Sequence, residues 1–446
     1  MLEQIITWLA LFLLCVGVVF LYLRKLKKDS QIVESKIEQA KQEGVFEPLS
    51  LHPKIDVNSC IKSGACVEAC PEKDIIGIVN GRATLVNASN CIGHGACYHA
   101  CPVEAISLVI GTEKRGVDLP HVNQNYETNV PGIYIAGELG GMGLIKNSVE
   151  QGTLAMESLV AKGIHRTPYH YDVVIIGAGP AGIAASLTAK KHGLNFLTLE
   201  QDSLGGTVFT FPRAKIVMTA PMDLPLFGKV KLTDTSKQEL LDLWNKALSK
   251  NDVTIRENTK VDAIQPTQEG FEVLTQQGET IKAVNVLLAI GRRGTPRKLG
   301  IPGENSTNVA YRLLDSELIS GKKIVVVGGG DSAIESALLL ADQNKVLLSY
   351  RGESFSRLKV KNKERIQKAM ETGRIDVRLS SNITRIEPET VFIKDGEAPE
   401  TSLPNDLVYI FAGGELPTEF LKKAGVEISK RFGYTVKSHK PNPGNS

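Results

Sequence analysis

The 446-residue sequence predicts an α/β protein built on two doubly wound units, with a small α+β module and one apolar helix ahead of them. Three observations carry that expectation. Two stretches, from Tyr171 and from Lys322, read as strand, glycine-rich turn, helix and second strand. Two cysteine runs repeat in register from Cys60 and Cys91. Ile5 to Leu23 contains 19 consecutive residues without a charge.

Composition sets the bounds. Apolar residues at 42% and charged residues at 23% are ordinary globular values, and the length allows two to four domains with substantial cores. A net charge of +3 gives no electrostatic case for nucleic acid. Six of the seven cysteines fall between Cys60 and Cys101, and the seventh, Cys15, lies in the apolar run. Such clustering suits metal or cluster ligation in a reducing compartment better than a disulfide framework.

The apolar run "IITWLALFLLCVGVVFLYL" would span about 28 Å as a helix, against ~30 Å for a hydrocarbon core. "RKLKK" follows it and only Glu3 precedes it, the reverse of a cleaved signal peptide. The positive-inside rule then predicts a single-pass anchor over 1–28 in the cell membrane, with a short N-terminus outside and the remainder cytoplasmic. Trp8 and Tyr22 sit near its two ends, where interfacial aromatics belong. Residues 29–48 are polar with Ile32, Val33, Ile37 and Ala40 as a short amphipathic pattern, which predicts a linker, stalk or membrane-face helix.

The cysteine runs are "CIKSGACVEACPE" and "CIGHGACYHACPVEA". Bacterial ferredoxins that hold two clusters use C-x2-C-x2-C-x3-C-P twice, the fourth cysteine of each run serving the other cluster. The segment from Leu51 to Ile110 resembles that family, down to Pro71 and Pro102, but the second cysteine of each run is replaced. The resemblance implies one site from Cys60, Cys66 and Cys101 with Ser63 at the altered place. It implies another from Cys91, Cys97 and Cys70 with His94 there. Each could be a [4Fe–4S] cluster completed by Ser63 or His94, or a [3Fe–4S] cluster. Two further readings stay open: a Cys3His zinc site from Cys70, Cys91, His94 and Cys97, and a metal-free remnant.

In "YDVVIIGAGPAGIAASLTAKKHGLNFLTLEQD" the glycines are Gly177, Gly179 and Gly182. The first makes the tight turn, the second lets backbone approach a pyrophosphate at the helix N-terminus, and the third lets helix pack on strand. Glu200 ends the second strand, placed for a ribose. This is a Rossmann-like dinucleotide-binding unit. The second unit, "KKIVVVGGGDSAIESALLLADQNKVLLSYRGESFSR", places Gly328, Gly330 and Ala333 at the same positions. No acid ends its second strand, so Arg351 and Arg357 point to the 2′-phosphate of NADPH, with NADH left open. The basic stretch Lys359, Lys361, Lys363 and Arg365 reads mainly as a solvated helix face.

Two such units joined by "LLAIGRRGTPRKLGIPGE" resemble the two-dinucleotide-fold flavoprotein reductases, above all the low-molecular-weight thioredoxin reductase group, over residues 170–435. The resemblance implies FAD in the first fold. Two departures stand out. That group's redox-active C-x-x-C is missing, since no cysteine follows Cys101. Its C-terminal flavin-closing segment is also missing from the end, whereas "ETNVPGIYIAGELGGMGLIKNSVEQGTLAMESLV" lies upstream of the first glycine motif. That stretch looks like the same segment moved forward by circular permutation, with Gly137 and Glu138 where an acid meets the flavin ribityl chain.

The expected organisation is an anchor at 1–28, linker 29–48, ferredoxin-like iron–sulfur module 49–110, relocated segment 111–165, FAD-binding fold 170–293, NAD(P)-binding fold 294–405, return to the flavin fold 406–435 and a disordered tail 436–446. The expected function is a membrane-anchored oxidoreductase in which electrons pass between NADPH, FAD, iron–sulfur clusters and an unknown acceptor or donor, in either direction. No catalytic side chain is required, because the cofactors carry the chemistry. Two alternatives are a flavin reductase acting directly on a small substrate with a structural cysteine module, and a membrane redox sensor. The membrane is an expected partner, nucleic acid is not, and a homodimer is left open.

Overall fold

The computed structural model describes residues 2–42, 46–48, 51–72, 74–91, 93–113, 116–140, 144–163, 171–211, 216–218, 221–232, 234–292, 296–355, 358–414 and 417–439. The chain divides into two compact units: residues 1–116 with 432–446, and residues 117–431.

The first unit begins with one helix, Leu2–Gln42, whose apolar half is exposed throughout. The boundary expected at 28–29 does not exist as a break. Residues 24–42 contain neither Gly nor Pro and are rich in Lys, Glu, Gln and Ile, so nothing interrupts the helix. Its later turns dock on the hairpin formed by Ile76–Val79 and Arg82–Leu85. The Asn80 amide donates to Ser30 Oγ at 2.9 Å, Lys36 Nζ reaches Asp74 Oδ1 at 2.6 Å, and Val33 fills the space beside Gly77. The segment read as a linker is thus, at least through Gln42, part of this unit's packing.

Strands His52–Ile55 and Ile106–Ile110 pair antiparallel, and Tyr434–Lys437 adds to the other edge of Ile106–Ile110. This corrects the expectation of a disordered tail from 436. The His439 ring then stacks on Tyr98 at 3.8 Å between centroids, so order extends through His439; residues 440–446 lie outside the described residues. The reason is not visible in the tail's polar composition: the strand supplies backbone partners to a buried neighbour that would otherwise end the sheet.

In the second unit, five strands run parallel: Ile255–Arg256, Phe196–Leu199, Tyr171–Ile176, Thr280–Leu288 and Ile133–Ile135. Gly270–Thr275 and Val261–Thr267 extend Thr280–Leu288 as an antiparallel meander. The upstream segment is therefore built into this sheet, with Ile133, Tyr134 and Ile135 opposite Val286, Leu287 and Leu288. Its helix, Ile145–Lys162, crosses helix Pro180–Lys191 so closely that a Cβ on Gly152 would stand 2.0 Å from the Ala181 carbonyl oxygen. Strand Val117–Pro120 pairs antiparallel with Ile428–Arg431, Val117 lying opposite Arg431. The two points where the chain passes to the other unit are thus side by side on one two-stranded sheet.

A second parallel sheet has the order Val309–Ala310, Leu407–Ile410, Lys323–Val327, Lys345–Ser349 and Ile375–Arg378. Leu407–Ile410 was expected in the return to the flavin fold from 406. It sits instead inside this sheet, because its unbroken run Leu-Val-Tyr-Ile is buried on both faces between two neighbours. The chain re-enters the first sheet's core only with Leu421, Ala424 and Val426.

Candidate dinucleotide cleft and cysteine sites

Each glycine of the first motif has a separate geometric reason. Gly177 has φ +103°, and a Cβ there would stand 2.5 Å from the Ala289 carbonyl oxygen. A Cβ on Gly182 would stand 1.8 Å from the Gly177 carbonyl oxygen, so the helix can approach the strand only without a side chain. A Cβ on Gly179 would meet nothing within 4 Å, which leaves its backbone open to the cleft at the N-terminus of helix Pro180–Lys191. Glu200 is buried, its carboxylate accepting from the Ala178 amide at 2.7 Å and the Asp202 amide at 3.1 Å. Burial raises its pKa above the ordinary value, and the two amide bonds oppose that shift.

The second motif repeats the pattern. Gly328 has φ +138° with the Phe411 carbonyl oxygen 2.5 Å from a would-be Cβ, Gly330 faces open space, and Ala333 is fully buried. Arg351 is exposed just past the end of Lys345–Ser349 and outside the cleft wall; Arg357 lies outside the described residues. The Tyr350 ring covers Gly329 and Gly352 and stacks with Phe355 at 5.5 Å.

Both motifs open on one cleft of about 960 Å³. Gly137, Glu138, Gly177, Gly179 and Glu200 line it from the first fold, and Gly330 and Ala333 from the second. Gly137, at φ +86° and packed against Ala181, accepts no side chain easily, and its amide donates to Gln151 Oε1 at 2.8 Å. Among the lining residues not anticipated from sequence are Gly206, Thr207, Thr259 to Asp262, Arg312 and Phe420. The pair Gly205-Gly206 in "LGGT" was the one local signal for these. Arg312 binds Asp202 at 3.0 Å across the two folds, a pairing no local pattern reveals. Open backbone at Gly179 and Gly330, with a buried acid at one strand end, fits two dinucleotides.

In the cysteine module, the two runs fold alike. Gly64 and Gly95 share φ 75°, each directly before a short helix, Ala65–Glu68 and Ala96–Ala100. Cys60, Cys66 and Cys101 line one apolar pocket with Ile55 and Ile106, and Ser63 stands at its edge, exposed. The Ala105 amide donates to Cys101 Sγ at 3.3 Å. Cys70, Cys91 and Cys97 form the other group. Burial pushes the Cys97 thiol up to about 12, with Cys91 and Cys70 adding, and pushes Cys91 up to about 11, with Cys70 and Glu72 adding. Cys66 is raised by burial, with Cys60 and Cys101 adding. Burial keeps these thiols protonated unless positive charge lies beside them, and an iron–sulfur cluster would supply that charge.

The Cys3His zinc alternative fits less well. Tetrahedral zinc needs its sulfurs only about 3.8 Å apart, and among the described residues no three His, Cys, Asp or Glu side chains converge as a metal-ion site. His94 Nε2 is buried without a hydrogen-bond partner, and burial lowers its pKa against the opposing charge of Glu72.

Two folds meeting at one cleft, with dinucleotide cradles on both sides, define an FAD- and NAD(P)-binding oxidoreductase. Comparison with known proteins agrees. The pyridine nucleotide-disulphide oxidoreductase family matches residues 174–440, and a 4Fe-4S dicluster domain matches residues 52–102. The chain belongs to the pyridine nucleotide-disulphide oxidoreductase family and carries a 4Fe-4S dicluster domain on its N-terminal side. It is 30% identical to a ferredoxin–NADP reductase of Ignicoccus hospitalis, over 58% of this chain and 82% of that one. It is 24% identical to bacilliredoxin reductase Bdr of Bacillus subtilis, with the same coverages. The solved bacillithiol disulfide reductase Bdr from Bacillus cereus shares the fold at a TM-score of 0.51 and 24% identity, covering 61% of this chain and 88% of that one.

Proposed function

We propose that this chain is an NADPH-linked oxidoreductase that exchanges electrons between the nicotinamide, FAD and two iron–sulfur centres, and through these with an external one-electron partner. The carrying observation is an intact two-dinucleotide cleft in a chain without a cysteine beyond Cys101, so no dithiol within that unit can take the electrons. FAD, when bound, takes up a two-electron equivalent and releases electrons singly, and clusters carry them one at a time. The protein's part is orientation. Gly179 and Gly330 offer backbone to the pyrophosphates, Glu200 presents a carboxylate to a ribose, Glu138 borders the flavin side of the cleft, and Arg351 selects the 2′-phosphate. Cys60, Cys66 and Cys101, and separately Cys70, Cys91 and Cys97, hold the clusters. The relative named ferredoxin–NADP reductase supports NADP and a ferredoxin-like module as the two ends of this path.

The helix Leu2–Gln42 is long and apolar enough to cross a membrane over its first half, and its later turns pack on the cysteine module. From Leu23 to Ser30 the helix rises only about 10 Å. The anchor therefore holds the cysteine module close to the cytoplasmic face, as the basic residues after Leu23 favour. Anaerobic mixing with NADPH is the test: the flavin bleaches, then the clusters, and ferricyanide or a cytochrome reoxidises both through repeated turnovers. Cys66→Ser should remove acceptor turnover while flavin bleaching persists. Undiminished turnover in that variant would show that the cysteine module does not carry electrons.

A further inference from the structure

The altered ligand position of each cysteine run carries a different chemistry, and their surroundings differ in the same sense. At the first, Ser63 is exposed, at the rim of the pocket lined by Cys60, Cys66 and Cys101. A serine hydroxyl is neutral at ordinary pH and must lose its proton to rival a thiolate, and at an exposed place water would compete for an iron held there. At the second, His94 is three residues from both Cys91 and Cys97, and its Nε2 is buried with no hydrogen-bond partner. An unpaired buried nitrogen loses its water without compensation unless something occupies its lone pair.

We propose that the two centres are unlike: a [4Fe–4S] cluster held by Cys70, Cys91, Cys97 and His94 Nε2, and a [3Fe–4S] cluster held by Cys60, Cys66 and Cys101 with no fourth iron at Ser63. This rests on the reading above that the module holds iron–sulfur clusters, and it adds the ligand that distinguishes them. His94 donates a neutral lone pair where a thiolate would bring a negative charge, so the centre it completes is easier to reduce than a four-cysteine cluster. The left-handed Gly64 and Gly95 are common to both halves, so the difference comes from the side chains and their exposure rather than from backbone shape.

The test uses the full chain, purified anaerobically in detergent and reduced with dithionite so that it does not depend on the flavin. Wild type should contain about seven irons and about eight sulfides per chain, from the sum of the two cluster types. As oxidised protein it should show the electron paramagnetic resonance signal of a [3Fe–4S] centre. After reduction, pulsed measurements should find a strongly coupled nitrogen that shifts on 15N-histidine labelling. Ser63→Cys should add about one iron and abolish the oxidised signal. His94→Cys should keep the iron, lose the nitrogen coupling and lower that centre's reduction potential. The proposal is overturned if wild type lacks the coupling, if the coupling survives in His94→Cys, or if Ser63→Cys leaves the oxidised signal unchanged. Clusters that behave as stated but are reduced by dithionite and not by NADPH would sink the proposed electron path while leaving this ligation standing. A flavin-bearing protein free of iron and sulfide would overturn both.

Discussion

The two glycine motifs face the same backbone problem with different residues at the third position. In the first, a Cβ on Gly182 would collide with the Gly177 carbonyl oxygen at 1.8 Å; in the second, Ala333 carries a Cβ and is buried without such a clash. The strands that follow also end differently. The first ends on buried Glu200, held by two backbone amides, and the second on Ser349, Tyr350 and exposed Arg351. The backbone shape of the turn is thus shared, while the packing of its helix and the residues that end the next strand differ between the two folds.

Exchanging the third residues gives the largest expected effect. Gly182→Ala forces helix and strand apart and should cost about 1–3 kcal/mol, with loss of bound flavin seen in the absorbance of purified protein. Ala333→Gly only adds backbone freedom, about 0.5–1 kcal/mol, and should leave flavin content unchanged. Equal damage from both would break the comparison. Next in size, Arg351→Ala should raise the KM for NADPH about tenfold with little change for NADH, since one charge-assisted contact to the 2′-phosphate is lost; equal change for both nucleotides would place the selection elsewhere. The smallest effect is at Glu200. Burial holds its carboxyl above the ordinary 4.5, so its contribution to stability is fully present below the unfolded pKa and is lost as pH rises through the folded one. Glu200→Gln should flatten that decline in thermal unfolding of flavin-free protein across the same pH window, while weakening flavin binding several-fold.

The cysteine runs and the glycine motifs were legible residue by residue, because their spacing is dictated by local backbone geometry. The upstream segment "TNVPGIYIAGE" was legible as a relocated part of the flavin fold through its resemblance; its pairing with Val286 to Leu288 was not. Leu407–Ile410 was misplaced because an apolar run of four does not say which of two sheets buries it. The tail was misread because Tyr434–Lys437 gains its order from an edge far away in sequence. Arg312 and Asp202, 110 residues apart, could not have been paired in advance.

By itself the sequence determined the number and kind of cofactor cradles, the six clustered cysteines and their two altered partners, and a helix of membrane-spanning length. Those features depend on residue type at fixed short spacing, which the chain carries locally. Only the tertiary structure decided which strands complete each sheet, that both ends of the second unit emerge from one two-stranded sheet, and that His94 Nε2 is buried and unpartnered while Ser63 is exposed. Exposure and pairing belong to what surrounds a residue, and those surroundings come from parts of the chain that sequence order keeps apart.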